Sequence, residues 1–169
     1  WTQGGLHFAG NAQFINRAGA TVNASGASNM GGADGSTGNT FTNEGTFNKT
    51  GGGTVDFTAY AGGCYMSVFN AATGVINVDG GALRFLFGLG TNANAGLIDI
   101  DTGATLTFSG VGMSHSAGAS VTGAGAISVS GGTTSFAAGS SFTCTGNISQ
   151  TGGTLDINAD STFSGAYTL

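Results

Sequence analysis

The chain has 169 residues, of which 34 are glycine and none proline; 40% are hydrophobic and only 7% charged. Abundant apolar residues with few charges exclude a disordered segment, and glycine without proline or a strict three-residue period excludes collagen. Three basic against eight acidic residues give a net charge of −5, which leaves no basic footprint for nucleic acid or an anionic membrane surface.

Taken in chain order, one short pattern recurs six times. It opens with Gly-Gly or Gly-Ala, continues with a small residue and an inward-looking position, and usually closes on a large apolar residue. The copies begin Gly19-Ala20-Thr21-Val22, Gly52-Gly53-Thr54-Val55, Gly80-Gly81-Ala82-Leu83, Gly103-Ala104-Thr105-Leu106, Gly131-Gly132-Thr133-Thr134 and Gly152-Gly153-Thr154-Leu155. Their first glycines are 33, 28, 23, 28 and 21 residues apart. Periods of this size mark a repeat architecture, in which one unit cannot bury its own apolar face.

Aligning the copies predicts vertical columns. One holds Phe57, Phe85, Phe108, Phe136 and Ile157; another holds Phe14, Phe47, Ile76, Ile98, Ile127 and Ile148. A shorter one, Val78, Ile100 and Val129, is broken by Lys49 and Gln150. A third, less regular segment carries Phe8, Phe41, Val68 or Phe69, Val121, Phe142 and Phe163. Apolar and polar positions alternate, as in strands with one buried face. The expectation is an all-β, right-handed parallel β-solenoid of about six rungs, each of three short strands, forming one unit over 1–169. The Gly/Ser-rich stretch 24–38 reads as a surface loop. The chain starts at Trp1 without a leader pattern, has no apolar run long enough to cross a bilayer, and reads as a segment of a longer polypeptide or a stacking subunit.

Residues Phe41–Phe57, FTNEGTFNKTGGGTVDF, resemble the Gly/Asn/Thr-rich repeats of bacterial cell-surface β-solenoids, among them adhesins and autotransporter passenger stalks. The resemblance covers nearly the whole chain and implies secretion, an extended stalk or adhesive rod at the cell surface, and no catalytic motif. It makes the expected partners other copies of the chain, stacked end to end or laterally, or surface proteins and glycans.

The candidate sites are few. Asp79 and Asp101 fall in one outward column, with Asp99 beside Asn77. Paired carboxylates on a solenoid face suit calcium, or the acid/base chemistry of a polysaccharide-cleaving enzyme. Asp79-Gly80-Gly81 and Asp101-Thr102-Gly103 read equally as turns. Arg84 is expected to pair with Asp56 one rung away. Tyr60, Tyr65, Met66, Leu86, Phe87 and Leu89 follow the Phe-column strand in consecutive rungs, and they form either an exposed contact patch or a local enlargement of the core.

A Thr column (Thr21, Thr54, Thr105, Thr133 and Thr154) is interrupted by Ala82, and only Thr105-Leu106-Thr107 has the Thr-x-Thr form of ice-binding arrays. Cys64 and Cys144 lie about three repeats, ~14 Å, apart, too far for a disulfide. His7 and His115 have no ligands at metal spacing and read as surface residues. No metal or cofactor is expected. The sequons at Asn23, Asn48 and Asn147 match chance frequency.

Overall fold

The computed structural model describes residues 1–60, 64–86 and 90–169, and these contain strands and no helix. Every strand pairing is parallel. The chain winds through three faces in turn. The first face holds β1 (Gly4–Phe8), β4 (Ser28–Gly32), β7 (Thr54–Ala59), β10 (Ala82–Phe85) and β13 (Thr105–Phe108). The second holds β2 (Gln13–Asn16), β5 (Asn39–Asn43), β8 (Met66–Asn70), β11 (Ala93–Asn94) and β14 (Ser114–His115).

On the third face lie β3 (Thr21–Ala24), β6 (Thr46–Lys49), β9 (Val75–Val78), β12 (Leu97–Ile100), β15 (Ser120–Gly123), β17 (Ser141–Cys144) and β19 (Asp160–Phe163). Two long strands, β16 (Ala126–Phe136) and β18 (Ile148–Ile157), cover the first face and then the second without a break, and β20 (Tyr167–Thr168) begins another turn. The result is a parallel β-solenoid of seven turns, one more than the glycine copies suggest.

The discrepancy has a definite cause. The six copies do not share a face. Thr21 opens a strand of the third face; Thr54, Ala82 and Thr105 open strands of the first; Thr133 and Thr154 lie on the second. A Gly-Gly or Gly-Ala step marks a corner, because glycine accepts the positive φ that a sharp corner needs (Gly81 +62°, Gly132 +70°). Such steps occur at different corners of the turn, and other corners, such as Glu44-Gly45 and Ala95-Gly96, lack them, so the motif alone does not say which corner it marks.

The columns change accordingly. Phe57, Phe85 and Phe108 stack as expected, with ring centroids 5.2 and 5.6 Å apart, but the next residue in register is Val129, not Phe136. Phe136 instead stands against His115, 4.1 Å between centroids, on the second face. On the third face, Phe47, Ile76 and Ile98 continue into Val121 and Phe142, whereas Ile127 and Ile148 belong to the first.

Other expectations are also revised. Within 24–38 lies β4, whose Met30 is fully buried beneath Phe57, so part of this stretch is core. Gly32 stands there because a Cβ would meet the Tyr65 carbonyl at 2.9 Å. Of Val68 and Phe69, Val68 faces inward and Phe69 is half-buried. Lys49 does break an apolar column, yet it is fully buried. Cys64 and Cys144 are both free and buried, and Cys144 occupies the column beside Phe142 as a small apolar residue.

A polar ladder runs inside the second face. Asn16 donates to Asn43 Oδ1 (2.7 Å), Asn43 to Asn70 Oδ1 (2.8 Å), and Asn70 to Asn94 Oδ1 (2.8 Å). The first three amides also donate to the carbonyls of Thr46, Val75 and Leu97 at 2.9–3.0 Å. Each buried amide is thereby satisfied and ties one turn to the next, where an unpaired one would cost about 1–3 kcal/mol. His115 ends the ladder, its Nδ1 3.1 Å from Asn94 Nδ2. It is 1% exposed, which corrects the expectation of a surface residue. His7 is exposed, as expected.

Candidate functional site

The first candidate is the acidic column of the third face. Strand alternation turns Asn77 and Asp99 outward in register, and the next residues, Asp79 and Asp101, leave the strand ends on adjacent turns, as the sequence predicts. Burial raises the proton affinity of Asp79, and the Asp101 and Asp99 carboxylates raise it further, against an opposing pull from Lys49. Asp99 is held by the Thr122 hydroxyl at 2.9 Å. Among the described residues, no group of three or more His, Cys, Asp or Glu side chains is placed to hold a metal ion.

Lys49 does not serve these carboxylates directly. Its ammonium donates to the carbonyls of Thr50, Gly51 and Gly80 at 2.9, 2.9 and 2.8 Å. Burial lowers its proton affinity, partly offset by Asp79. The side chain closes the corner between the third and first faces by filling a carbonyl cage. Sequence reasoning registered Lys49 only as an interruption; the Gly51-Gly52-Gly53 run beside it was the available signal, because glycine leaves carbonyls accessible.

The second candidate follows β7 and β10. Met66 is buried in the core (6% exposed), while Tyr60, Tyr65 and Leu86 are half-buried. Phe87 and Leu89 lie outside the described residues. The backbone N–H of Tyr65 donates to the Ser36 carbonyl at 3.1 Å, and its carbonyl accepts from Asn39 Nδ2 at 3.2 Å. Leu86 and Met66 help to line a cavity of about 10 Å³, with Phe57, Phe85, Asn92 and Val111 on its other walls. That is room for about one water. Tyr60 does not join them. Its ring lies over the first face against His7, with centroids 3.9 Å apart.

Tyr60 instead meets a polar group that the sequence did not assemble. Asn29, Asp56 and Arg84 are consecutive outward residues of the first face, in register on β4, β7 and β10. Arg84 donates to both Asp56 oxygens, Nε to Oδ1 at 2.7 Å and NH2 to Oδ2 at 2.8 Å, the expected ion pair in its bidentate form. Asp56 raises the pKa of Arg84. The Tyr60 hydroxyl is buried and has no hydrogen-bond partner among the described residues. Its pKa is raised mainly by burial, against a pull from the Asn29 amide, with a smaller rise from Asp56. The pairing of Arg84 with Asp56 was expected; Asn29 was missed, because the stretch 24–38 read as a loop and not as a strand 27 residues before Asp56 in register.

His115 is the remaining unusual group. Its Nε2 is buried without a partner among the described residues, and burial lowers its pKa from 6.5 to about 3. It is therefore neutral near pH 7, and its surroundings suit a packing role: Phe136 lies nearly parallel to it and Phe108 meets its edge. Compared with known proteins, the chain matches no family model, no curated protein and no solved structure.

Proposed function

We propose that the chain is a structural rod of the cell exterior, a segment of an adhesive stalk or a subunit of a filament that stacks on other copies. One observation carries this reading: parallel pairing runs from the first described turn to the last, with register shifts at the bulge between β16 and β18. Among the described residues, β1, β2 and β3 at one end, and β19 and β20 at the other, are paired along one edge only. Apolar residues continue to these edges, with Leu6 39%, Phe163 40% and Tyr167 47% exposed. Further strands, of the same polypeptide or of another copy, add by the same rule, and head-to-tail addition propagates without closing. Small-angle scattering across a concentration series tests the self-stacking form. Particles should lengthen at constant cross-section, and a fixed length at all concentrations would remove self-stacking.

A second reading, polysaccharide cleavage at Asp79, Asp99 and Asp101, draws support from the raised proton affinity of Asp79. It is the weaker one, because Lys49 is committed to its carbonyl cage and Arg84 to Asp56. Cleavage of a polysaccharide panel by the wild type, abolished in Asp79→Asn and Asp101→Asn, would revive it.

A further inference from the structure

We infer that His115, where β11 meets β14, is an acid-operated latch: taking up one proton there parts the second face between the fourth and fifth turns while the turns on either side stay paired. The latch lies in the interior of the rod and does not depend on whether the rod self-stacks.

The ladder that ends on His115 has a fixed direction. The carbonyls of Thr46, Val75 and Leu97 accept from Asn16, Asn43 and Asn70, so each of these residues has its NH2 group turned toward the next turn and its oxygen turned back. Asn70 then donates to Asn94 Oδ1, and the Gly96 N–H donates to the same oxygen at 3.2 Å. With its oxygen held by two donors, Asn94 presents its NH2 group to His115 Nδ1, 3.1 Å away. Nδ1 must therefore accept, and the neutral ring carries its proton on Nε2.

A second proton has no place in this arrangement. An imidazolium donates from both nitrogens, so Nδ1–H would face the Asn94 amide, donor against donor. Turning that amide over would set its NH2 group against the Asn70 amide and the Gly96 N–H. The surroundings give no relief. Phe136 lies parallel to the ring, Phe108 meets its edge, and Nε2 has no acceptor among the described residues. Of the strands around it, β11, β13, β15 and β16 carry no titratable group; β17 carries Cys144, whose thiol burial keeps protonated, and β12 carries Asp99, which faces outward. A buried charge without a partner is too costly to keep, so the proton is taken up as the ring leaves. The backbone there can yield. β11 and β14 pair over two residues, Ala93 with Ser114 and Asn94 with His115, whereas β5 and β8 pair over five and β16 and β18 over eight.

The test is hydrogen exchange of the intact 169-residue chain, followed amide by amide as pH is lowered. Ser114 and Ser116 donate across the latch to the Asn92 and Asn94 carbonyls; Ala71 donates to Asn43 in the earlier turns and Ser141 to Ala119 in the later ones. Below pH 6.5 the opened form binds the proton, and the closed form does not until about pH 3. Within that window, protection at Ser114 and Ser116 should fall by up to about tenfold per pH unit, while protection at Ala71 and Ser141 holds. His115→Asn keeps an acceptor for the Asn94 amide but takes up no proton, so it should remove the pH dependence. If that variant fails to fold, nitrogen NMR of the wild-type imidazole decides: the proton should sit on Nε2 at neutral pH, and uptake of the second should coincide with the loss of protection at Ser116. Equal loss at all four amides, no loss at Ser114 and Ser116, undiminished pH dependence in His115→Asn, or a neutral ring protonated on Nδ1 each overturns the proposal.

Discussion

The first four turns and the last three solve the same packing problem with different materials. Along the inner edge of the second face, successive equivalent residues are 27, 27 and 24 apart from Asn16 to Asn94, then 21 apart at His115, Phe136 and Ile157. The early turns hold satisfied amides, a caged lysine and nearly all the charges; residues 102–155 contain no Asp, Glu, Lys or Arg at all. The later turns drop the amide ladder for aromatic and aliphatic residues, and β16 and β18 pass directly from the first face to the second. Earlier, separate segments such as 33–38 join those faces. A turn of 21 residues suffices to close the solenoid, so the longer turns carry surplus chain. Tyr60 and Tyr65 lie at that same corner. Surface chemistry gathers where the turn exceeds its minimum.

Substitutions can break this contrast. The largest effect is expected in the ring stack of the early turns. Phe85→Ala removes a fully buried ring between Phe57 and Phe108 and should cost about 3–5 kcal/mol in a urea titration. Val129→Ala, in the same column of the later turns, should cost clearly less. Equal losses would mean that the rings contribute no more than the aliphatic residues that replace them.

Acid should act at the junction of the two regions. The folded-state pKa of His115, about 3, lies below its unfolded value of 6.5. Between these values the unfolded chain binds more protons, so stability is full above pH 6.5 and falls as pH drops toward 3. The slope approaches tenfold in the unfolding constant per pH unit. His115→Phe should flatten that part of the profile. An unchanged profile would show that the histidine is not the acid-sensitive group.

A smaller loss is expected within the ladder. Asn43→Ala strands the Asn16 amide and the Val75 carbonyl and should cost about 2–3 kcal/mol. Asn94→Ala, next to His115, removes its bonds to Asn70, the Gly96 N–H and His115 and should cost a similar amount. Smallest of all, Arg84→Met should change stability by no more than about 1 kcal/mol, because the pair is partly exposed. A loss several times larger would mean that the first face depends on this pair for its integrity.

Much of the architecture was legible because its signals are local. Period-2 alternation and glycine at corners follow from the sterics of a few consecutive residues, so strands such as Thr54–Ala59 and Ala82–Phe85, and the pairing of Arg84 with Asp56, could be read directly. The asparagine ladder was written in the spacing of Asn16, Asn43 and Asn70, but glycine columns drew the alignment instead. The inner role of Lys49 and the burial of His115 were not legible, since each depends on which carbonyls or rings the neighbouring turns present.

The sequence by itself determined that this chain stacks short strands into a parallel solenoid, because burying one face of each strand against like residues needs only the local pattern. Tertiary structure alone decided the count of seven turns, the face on which each glycine copy falls, and the meetings of His7 with Tyr60 and of Asn29 with Asp56. The physical reason is register. A corner can absorb a variable number of residues at little energetic cost, so sequence distance does not fix which side chains become neighbours; pairing each turn with the next does.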